Sequence, residues 1–269
     1  MDAHTRSRRW NHLRRPLAGL LVIVGCTTSQ QAPRIQRPVI VDGSGVVPIT
    51  SDLGWTITLT TCRFALTNLV FTTAGEFHDN GVTSLGDRLR RLVIADAWAH
   101  PGHAAGGEVI GELPGRFIVD WCQGDGEKLG DAELTVGDYN GANFDFTRAS
   151  AEDGLDAADP LIGHTIELGG TAVLGDQTIT FHALLDQDEG RQIIGLPFDL
   201  DLDESSTAVL GLQLLPQSPF SVDDLFDQLD FAAADPDGDG VVEFMVGDEG
   251  HTRLLRATQS HDYYFVEPE

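Results

Sequence analysis

Trp55-Thr56-Ile57-Thr58-Leu59-Thr60-Thr61-Cys62 decides the fold class. Trp55, Ile57 and Leu59 alternate with threonines, so an extended chain there has one apolar and one polar face. The same period recurs at Arg116-Phe117-Ile118-Val119-Asp120-Trp121-Cys122, at Phe144 and Phe146 around Asp145, and at Ile179 and Phe181 beside Thr180 and His182. Further strand text lies near 63–72, 91–99, 107–113, 132–138, 164–173, 191–200 and 207–215. Many short strands separated by turns predict a mainly β fold: an antiparallel β-sandwich, immunoglobulin-like or related, with one or two short helices. The clearer helix is expected after Ser221, where Asp224 makes a capping-box variant and Val222, Leu225, Phe226 and Leu229 form one apolar stripe. Ser84 to Val93 is a second candidate, although Leu92 to Trp98 also fits a strand. Residues 147–162 read as a long acidic loop.

Outward from this core, the N-terminus reads as an address. The basic segment Arg6 to Arg15 is followed by Leu17-Ala18-Gly19-Leu20-Leu21-Val22 and then Ile23-Val24-Gly25-Cys26. A basic region, a short apolar run and small residues before the break make a secretory signal over residues 1–25. The run is well short of the roughly 20 residues that span a bilayer. Ile23-Val24-Gly25-Cys26 resembles the lipobox of bacterial lipoproteins, which implies cleavage before Cys26 and lipidation of that cysteine; which bacterial membrane holds the lipid stays open, with the outer preferred to the inner. Residues 26–54, with Gln30-Gln31, several prolines and Gly43-Ser44-Gly45, then read as a lipidated flexible tether. Residues 55–269 are expected to form a single β-sandwich domain.

The whole chain carries a formal charge of −25. The first 25 residues hold five of its 17 basic and one of its 42 acidic side chains, so the remainder has 12 against 41. Such a surface repels nucleic acid and anionic headgroups, leaving the lipid as the membrane contact. It attracts cations, as would any protein of a saline habitat or an acid-biased proteome. With Cys26 lipidated, Cys62 and Cys122 remain, a number that suits one disulfide in an oxidising compartment. Closing that loop would contribute about 4 kcal/mol in the chain-entropy model. A thiolate pair for a metal is the alternative, but neither a CxxC spacing nor a nearby histidine accompanies it.

Two stretches could carry chemistry. In Asp96-Ala97-Trp98-Ala99-His100-Pro101-Gly102-His103, a type II turn at Pro101-Gly102 would hold its first and fourth α-carbons within about 7 Å. His100 and His103 could then face one ion, with Asp96 behind them and His261 as a ligand from elsewhere. Imidazoles suit copper or zinc. The competing view is an exposed polar turn. Glu108 and Glu112 could join, and His251 is another distant candidate. The second stretch is Asp235-Pro236-Asp237-Gly238-Asp239-Gly240-Val241-Val242-Glu243. Aspartates at positions 1, 3 and 5 and glycine at 6 match the first half of a calcium loop. The Val241 carbonyl would serve position 7, and Glu243 falls at position 9. Position 12 is Val246 rather than a carboxylate, so the pattern is incomplete and an affinity on the order of 0.1–1 mM is expected. An Asp-Gly turn is the plain alternative. GxSxG, HExxH and phosphate-binding glycine motifs are all missing, and no enzyme is expected.

Cys62-Arg63-Phe64-Ala65-Leu66-Thr67-Asn68-Leu69-Val70-Phe71 resembles the early strand of the methanobactin-associated periplasmic copper-binding proteins. Leu210-Gly211-Leu212-Gln213-Leu214, leading toward Leu225-Phe226, is similar to their late order. The resemblance implies a secreted β-sandwich that holds copper through histidines. The tryptophan-rich close of that family is not recognisable in Ser260-His261-Asp262-Tyr263-Tyr264-Phe265. The expected function is a lipid-anchored extracytoplasmic metal-binding protein for copper or zinc storage, delivery or sensing. The alternative is a non-enzymatic structural, adhesion or envelope lipoprotein whose calcium loop stiffens the fold.

Overall fold

The stretch that begins at Trp55 extends into one strand of 17 residues in the computed structural model, which describes residues 32–75 and 107–269. In chain order the strands are β1 (Arg34–Asp42), β2 (Ile49–Thr50), β3 (Thr56–Thr72), β4 (Val109–Asp120), β5 (Lys128–Thr135) and β6 (Gly137–Phe146), followed by β7 (Ile166–Leu174), β8 (Gln177–Leu185), β9 (Gln192–Leu202), β10 (Leu210–Leu214), β11 (Val241–Phe244) and β12 (Tyr264–Pro268). Two short helices lie late in the chain, α1 (Phe231–Ala234) and α2 (Glu249–Ala257). The fold is therefore mainly β, with two short helices among the described residues.

β3 organises the sheet. Its first half pairs with β7 and its second half with β6, while β4 lies along its other side from Arg63 onward. A bulge follows the switch from β7 to β6. Registers shift between Thr67 and Leu69 against β4 and between Thr67 and Val70 against β6. Asn68 sits there at φ 55°, a left-handed conformation that asparagine tolerates better than most residues. Its side-chain amide donates to Asp145 at 3.0 Å. The extra residue changes the phase of burial: Cys62, Phe64 and Leu66 point into the core before it, and Leu69 and Phe71 after it.

From β3 the ladder runs one way through β7 and β8 to β11, and the other way through β4, β5, β1 and β10 to β12. A side branch leads from β3 through β6 to β9, and β12 comes to lie beside β9. Most pairings are antiparallel, but β1 pairs with β10 and β11 with β8 in parallel. The sheet is thus mixed, not purely antiparallel as the alternation suggested. Both parallel partners are brought together by long connections, which a period-2 pattern does not encode.

β1 lies inside the span read as a flexible tether. It pairs on both sides, with β5 and β10. Pro38 precedes the first β10 partner, Val39, so its missing N–H removes no bond from that ladder.

The helix expected at 221–229 is also absent; that segment is a series of turns. Ser221 Oγ accepts from the Asp223 N–H and donates to the Asp223 carboxylate, and Asp224 accepts from the Phe226 N–H. Such local bonds compete with helical ones. Leu225, Phe226 and Leu229 are still buried, whereas Val222 is exposed. The other helix candidate, Ser84 to Val93, lies outside the described residues.

Three aromatic groups fill the interior, one of them made by Phe71, Tyr139 and Phe198. Trp121 packs edge-on to Phe64, and both lie against Tyr264, which also meets Phe144. The Trp121 indole N–H donates to the Leu212 carbonyl at 2.7 Å, and the Tyr264 hydroxyl donates to the Thr258 carbonyl at 2.8 Å. Phe181 is surrounded by Phe226, Phe231 and Phe244, with Trp55 against Phe231. On the opposite face of β3, Ala65 packs with Ala149 and Leu161 of the acidic loop. Arg116 fixes that loop by donating to both oxygens of Asp153 at 2.8 and 2.9 Å.

Cys62 of β3 and Cys122, just past the end of β4, form a disulfide with α-carbons 5.5 Å apart at a sequence separation of 60. Replacing both with serine should lower unfolding free energy by about 4 kcal/mol, measured as the guanidinium midpoint with and without reductant. Asn68→Val should cost roughly 1–2 kcal/mol because valine is strained at that φ, whereas Asn68→Gly should stay close to wild type. Equal midpoints for the two variants would show that the bulge does not need its left-handed residue.

Candidate cation-binding loop

Three carboxylates converge where α1 hands the chain to β11. Oxygens of Asp235, Asp237 and Asp239 all lie within 4.8 Å of one another. The local sequence explains why. Asp230 ends the preceding turn and caps α1, accepting from the Ala232 and Ala233 N–H groups at 3.1 Å each. Asp235 is then the hub of the loop. One of its oxygens accepts from the N–H groups of Gly238 and Asp239 at 3.0 and 3.2 Å, and the other from Gly240 at 3.0 Å. Gly238 and Gly240 stand at φ 72° and 80°, which L side chains rarely adopt. Asp239 accepts from the Val241 N–H at 2.8 Å, which fixes the entry to β11. Asp237 makes none of these bonds and stands exposed beside the other two.

Chemically this is a hard-oxygen site. Like charges this close repel one another, and a divalent cation relieves that repulsion. Carboxylates alone favour calcium or magnesium over copper or zinc. Two further positions of the calcium pattern behave differently. Val241 is the first residue of β11, paired with Thr180. Glu243 turns to β8, where its carboxylate lies 2.9 Å from Nδ1 of His182. The three aspartates of the sequence pattern thus lie together, while Glu243 lies against an imidazole.

Glu243 belongs to a chain of charges across four adjacent strands. His182 Nε2 is 3.0 Å from Glu167. The other Glu167 oxygen accepts from Arg63 at 2.9 Å, and Arg63 also donates to both oxygens of Asp159 at 3.0 and 2.7 Å. Burial alone would lower the His182 pKa, but the hydrogen bonds to Glu167 and Glu243 outweigh it and raise the value. The Arg63 hydrogen bond holds the Asp159 carboxyl below the usual carboxylate range, against the opposing effect of burial. Period-2 text placed His182 on a strand, but a single sequence does not show which strand will lie beside it.

Beside the loop, α1, β11 and α2 enclose a pocket of about 550 Å³ lined in part by Leu229, Asp230, Pro236, Glu243, Asp248 and Arg253. Arg253 pairs with Glu249 and donates to the Gln228 side chain. Asp248 accepts from the Met245 N–H at 2.8 Å.

Cys26, Asp96, His100 and His103 lie outside the described residues. His261 sits in the short turn ahead of β12, with Nε2 3.3 Å from Asp262. His251 is buried on α2 and contacts the Leu184 carbonyl at 3.2 Å, and His164 pairs with Asp186. None of these three joins a group of three potential ligands among the described residues. Glu112 faces Glu133 across the β4–β5 ladder, and the Glu108 N–H donates to Thr73. The remaining such group, Cys62, Asp120 and Cys122, has its sulfurs joined to each other.

No family model, curated protein or solved structure matches this chain. The likeness to the copper-binding family rests on the quoted stretches alone.

Arg63→Met should leave Asp159 and Glu167 without their shared cation and cost about 3 kcal/mol at neutral pH. Because Asp159 is held below its ordinary value, its contribution is present above that value and lost as pH falls through the lowered one. The gap between wild type and Arg63→Met in urea midpoint should therefore narrow between about pH 5 and about pH 2. A gap that does not change over that range would show that the pair contributes no linkage.

Proposed function

We propose that this chain is a non-enzymatic, lipid-anchored envelope protein whose loop from Asp235 to Gly240 binds calcium and stiffens an extracytoplasmic β domain. The observation that carries the reading is the convergence of Asp235, Asp237 and Asp239 on one point in a loop already shaped by its own hydrogen bonds. The cross-strand disulfide supports an oxidising compartment. No helix among the described residues is long and apolar enough to cross a membrane, and in this reading Cys26 supplies the attachment. Burial of aromatic side chains along both halves of the bulged β3 supports a sandwich. Storage or delivery of copper or zinc through Asp96, His100 and His103 is the other function the sequence suggests, and no observation in the described residues favours it.

At about 5 mM calcium, a site of roughly 0.5 mM affinity adds about 1.4 kcal/mol. For a domain of this size, that is a rise in melting temperature of about 4 °C. Asp237→Asn/Asp239→Asn should abolish the rise while leaving the metal-free melting temperature close to wild type. Scanning calorimetry with calcium, magnesium, zinc and copper in parallel decides the matter. A rise that survives in the double variant removes the loop as the site, and a rise with copper alone favours the histidine reading.

A further inference from the structure

The segment from Pro216 to Leu229 sends Leu225, Phe226 and Leu229 into the core without belonging to any strand or helix. Its backbone ties are few: an isolated bridge between Gln217 and Asp224, the Leu225 N–H donating to the Pro216 carbonyl, and the Ser218 N–H donating to the Asp223 carbonyl. At its centre Asp224 is only 3% exposed. One Asp224 oxygen accepts from the Phe226 N–H at 2.7 Å, and the Asp224 N–H donates to Asp227 Oδ2 at 3.0 Å. The Asp224 and Asp227 carboxyl groups are within hydrogen-bonding reach of each other. The other Asp227 oxygen is enclosed and accepts no hydrogen bond among the described residues.

The groups around this pair are mostly acidic. Asp52, from the turn between β2 and β3, accepts from the Gln228 N–H at 2.8 Å and acts on Asp224. Asp223 lies on the segment itself. From the turn ahead of β12 come Tyr263 and Asp262, with His261 beside Asp262. Tyr263 feels the charges of Asp227, Asp223, Asp224 and Asp262 together, which with burial raise its pKa. Arg253 of α2 reaches the Gln228 side chain but is paired with Glu249. Neither Asp224 nor Asp227 has an ion pair with a described cation. Two ionised carboxylates are acceptors only, so a contact between them requires a proton.

We propose that Asp224 and Asp227 share one proton and act as a latch that holds the 216–229 segment in the core and loosens it when that proton leaves. Burial first, and then the contact with Asp227, raise the Asp224 pKa to about 7, while the Phe226 N–H pulls it down. A raised value means the proton is bound more tightly in the closed state. The hold is complete below the ordinary carboxylate pKa and is lost as pH rises through the raised one. The latch therefore tightens on mild acidification, opposite in sign to the Arg63–Asp159 pair.

Amide hydrogen exchange on the full domain tests this. After correction for intrinsic rates, protection at Leu225 and Leu229 should fall at least tenfold between about pH 5 and about pH 7. Asp224→Asn keeps an acceptor for Phe226 and a donor toward Asp227, so its protection should be flat over that range. Asp227→Asn, the second variant, removes the contact but not the burial of Asp224, so its profile should fall in the same direction by a smaller factor than wild type. If neither variant folds, the Asp224 carboxyl carbon can be titrated by NMR in the wild-type protein. A midpoint above about 6 supports the latch, and one near the ordinary value of about 3.9 overturns it. Wild-type protection that does not change with pH overturns it as well. So does recovery of protection at about pH 8 by millimolar calcium in the Asp237→Asn/Asp239→Asn background, since the carboxyl cluster would then be held by a cation.

Discussion

The constraint on which the rest of the structure depends is the phase change in β3. A strand of 17 residues outruns what a single partner on one side supplies, and β3 divides that side between β7 and β6. A regular strand would keep one face apolar along its whole length. Here the inward side chains shift by one position within the part paired with β6, and the left-handed residue at Asn68 marks the shift. Without it, Leu69 and Phe71 would face the wrong way, because a slip of one residue turns every following side chain to the other face. The disulfide at Cys62 and the Trp121–Phe64 contact lie on the first half, so the half that is locked covalently is also the one that carries the tightest aromatic packing.

That same first half carries the acidic face. Arg63, one residue after the disulfide, is the cation around which Asp159 and Glu167 gather, and Glu167 passes the connection to His182 and Glu243. The loop of aspartates is therefore not an isolated appendage. Its exit strand β11 is held to β8 by the ladder and by the His182–Glu243 contact, and β8 is held through β7 to the bulged strand. A cation bound at Asp235–Asp239 would stiffen a strand that is already tied to the core, which is how a weak exposed site can raise the stability of the whole domain.

Much of this was legible in the residues. The alternation at Trp55–Leu59 and Phe117–Trp121 fixes strands because burial on one face has only one period that fits, and two cysteines in strand text left few partners for each other. Asp235, Asp237 and Asp239 were legible because their spacing and Gly240 encode a local turn. What was not legible is non-local. The parallel partners of β1 and β11, the imidazole beside Glu243 and the carboxyl facing Asp224 all come from residues far away or from backbone turns that mimic a helix stripe. The stripe of Leu225, Phe226 and Leu229 was a correct reading of burial and a wrong one of conformation, because serine and aspartate side chains captured the amides that a helix would have used.

A chain with 42 acidic and 17 basic residues must place many carboxylates without enough cations, and the fold handles this in three physically distinct ways. Where an arginine is at hand, as at Arg63 and Arg116, the carboxylate stays ionised and its pKa falls. At Asp224 burial is almost complete and no cation is paired, so keeping the proton costs less than keeping the charge. In the Asp235–Asp239 loop three carboxylates lie close together near the surface. A bound cation would relieve their mutual repulsion. The first arrangement strengthens as pH rises and the second as it falls, while the third would respond to a bound cation. The different signs follow from burial and from the identity of the nearest group, not from the residue type, since all three are built from the same side chain.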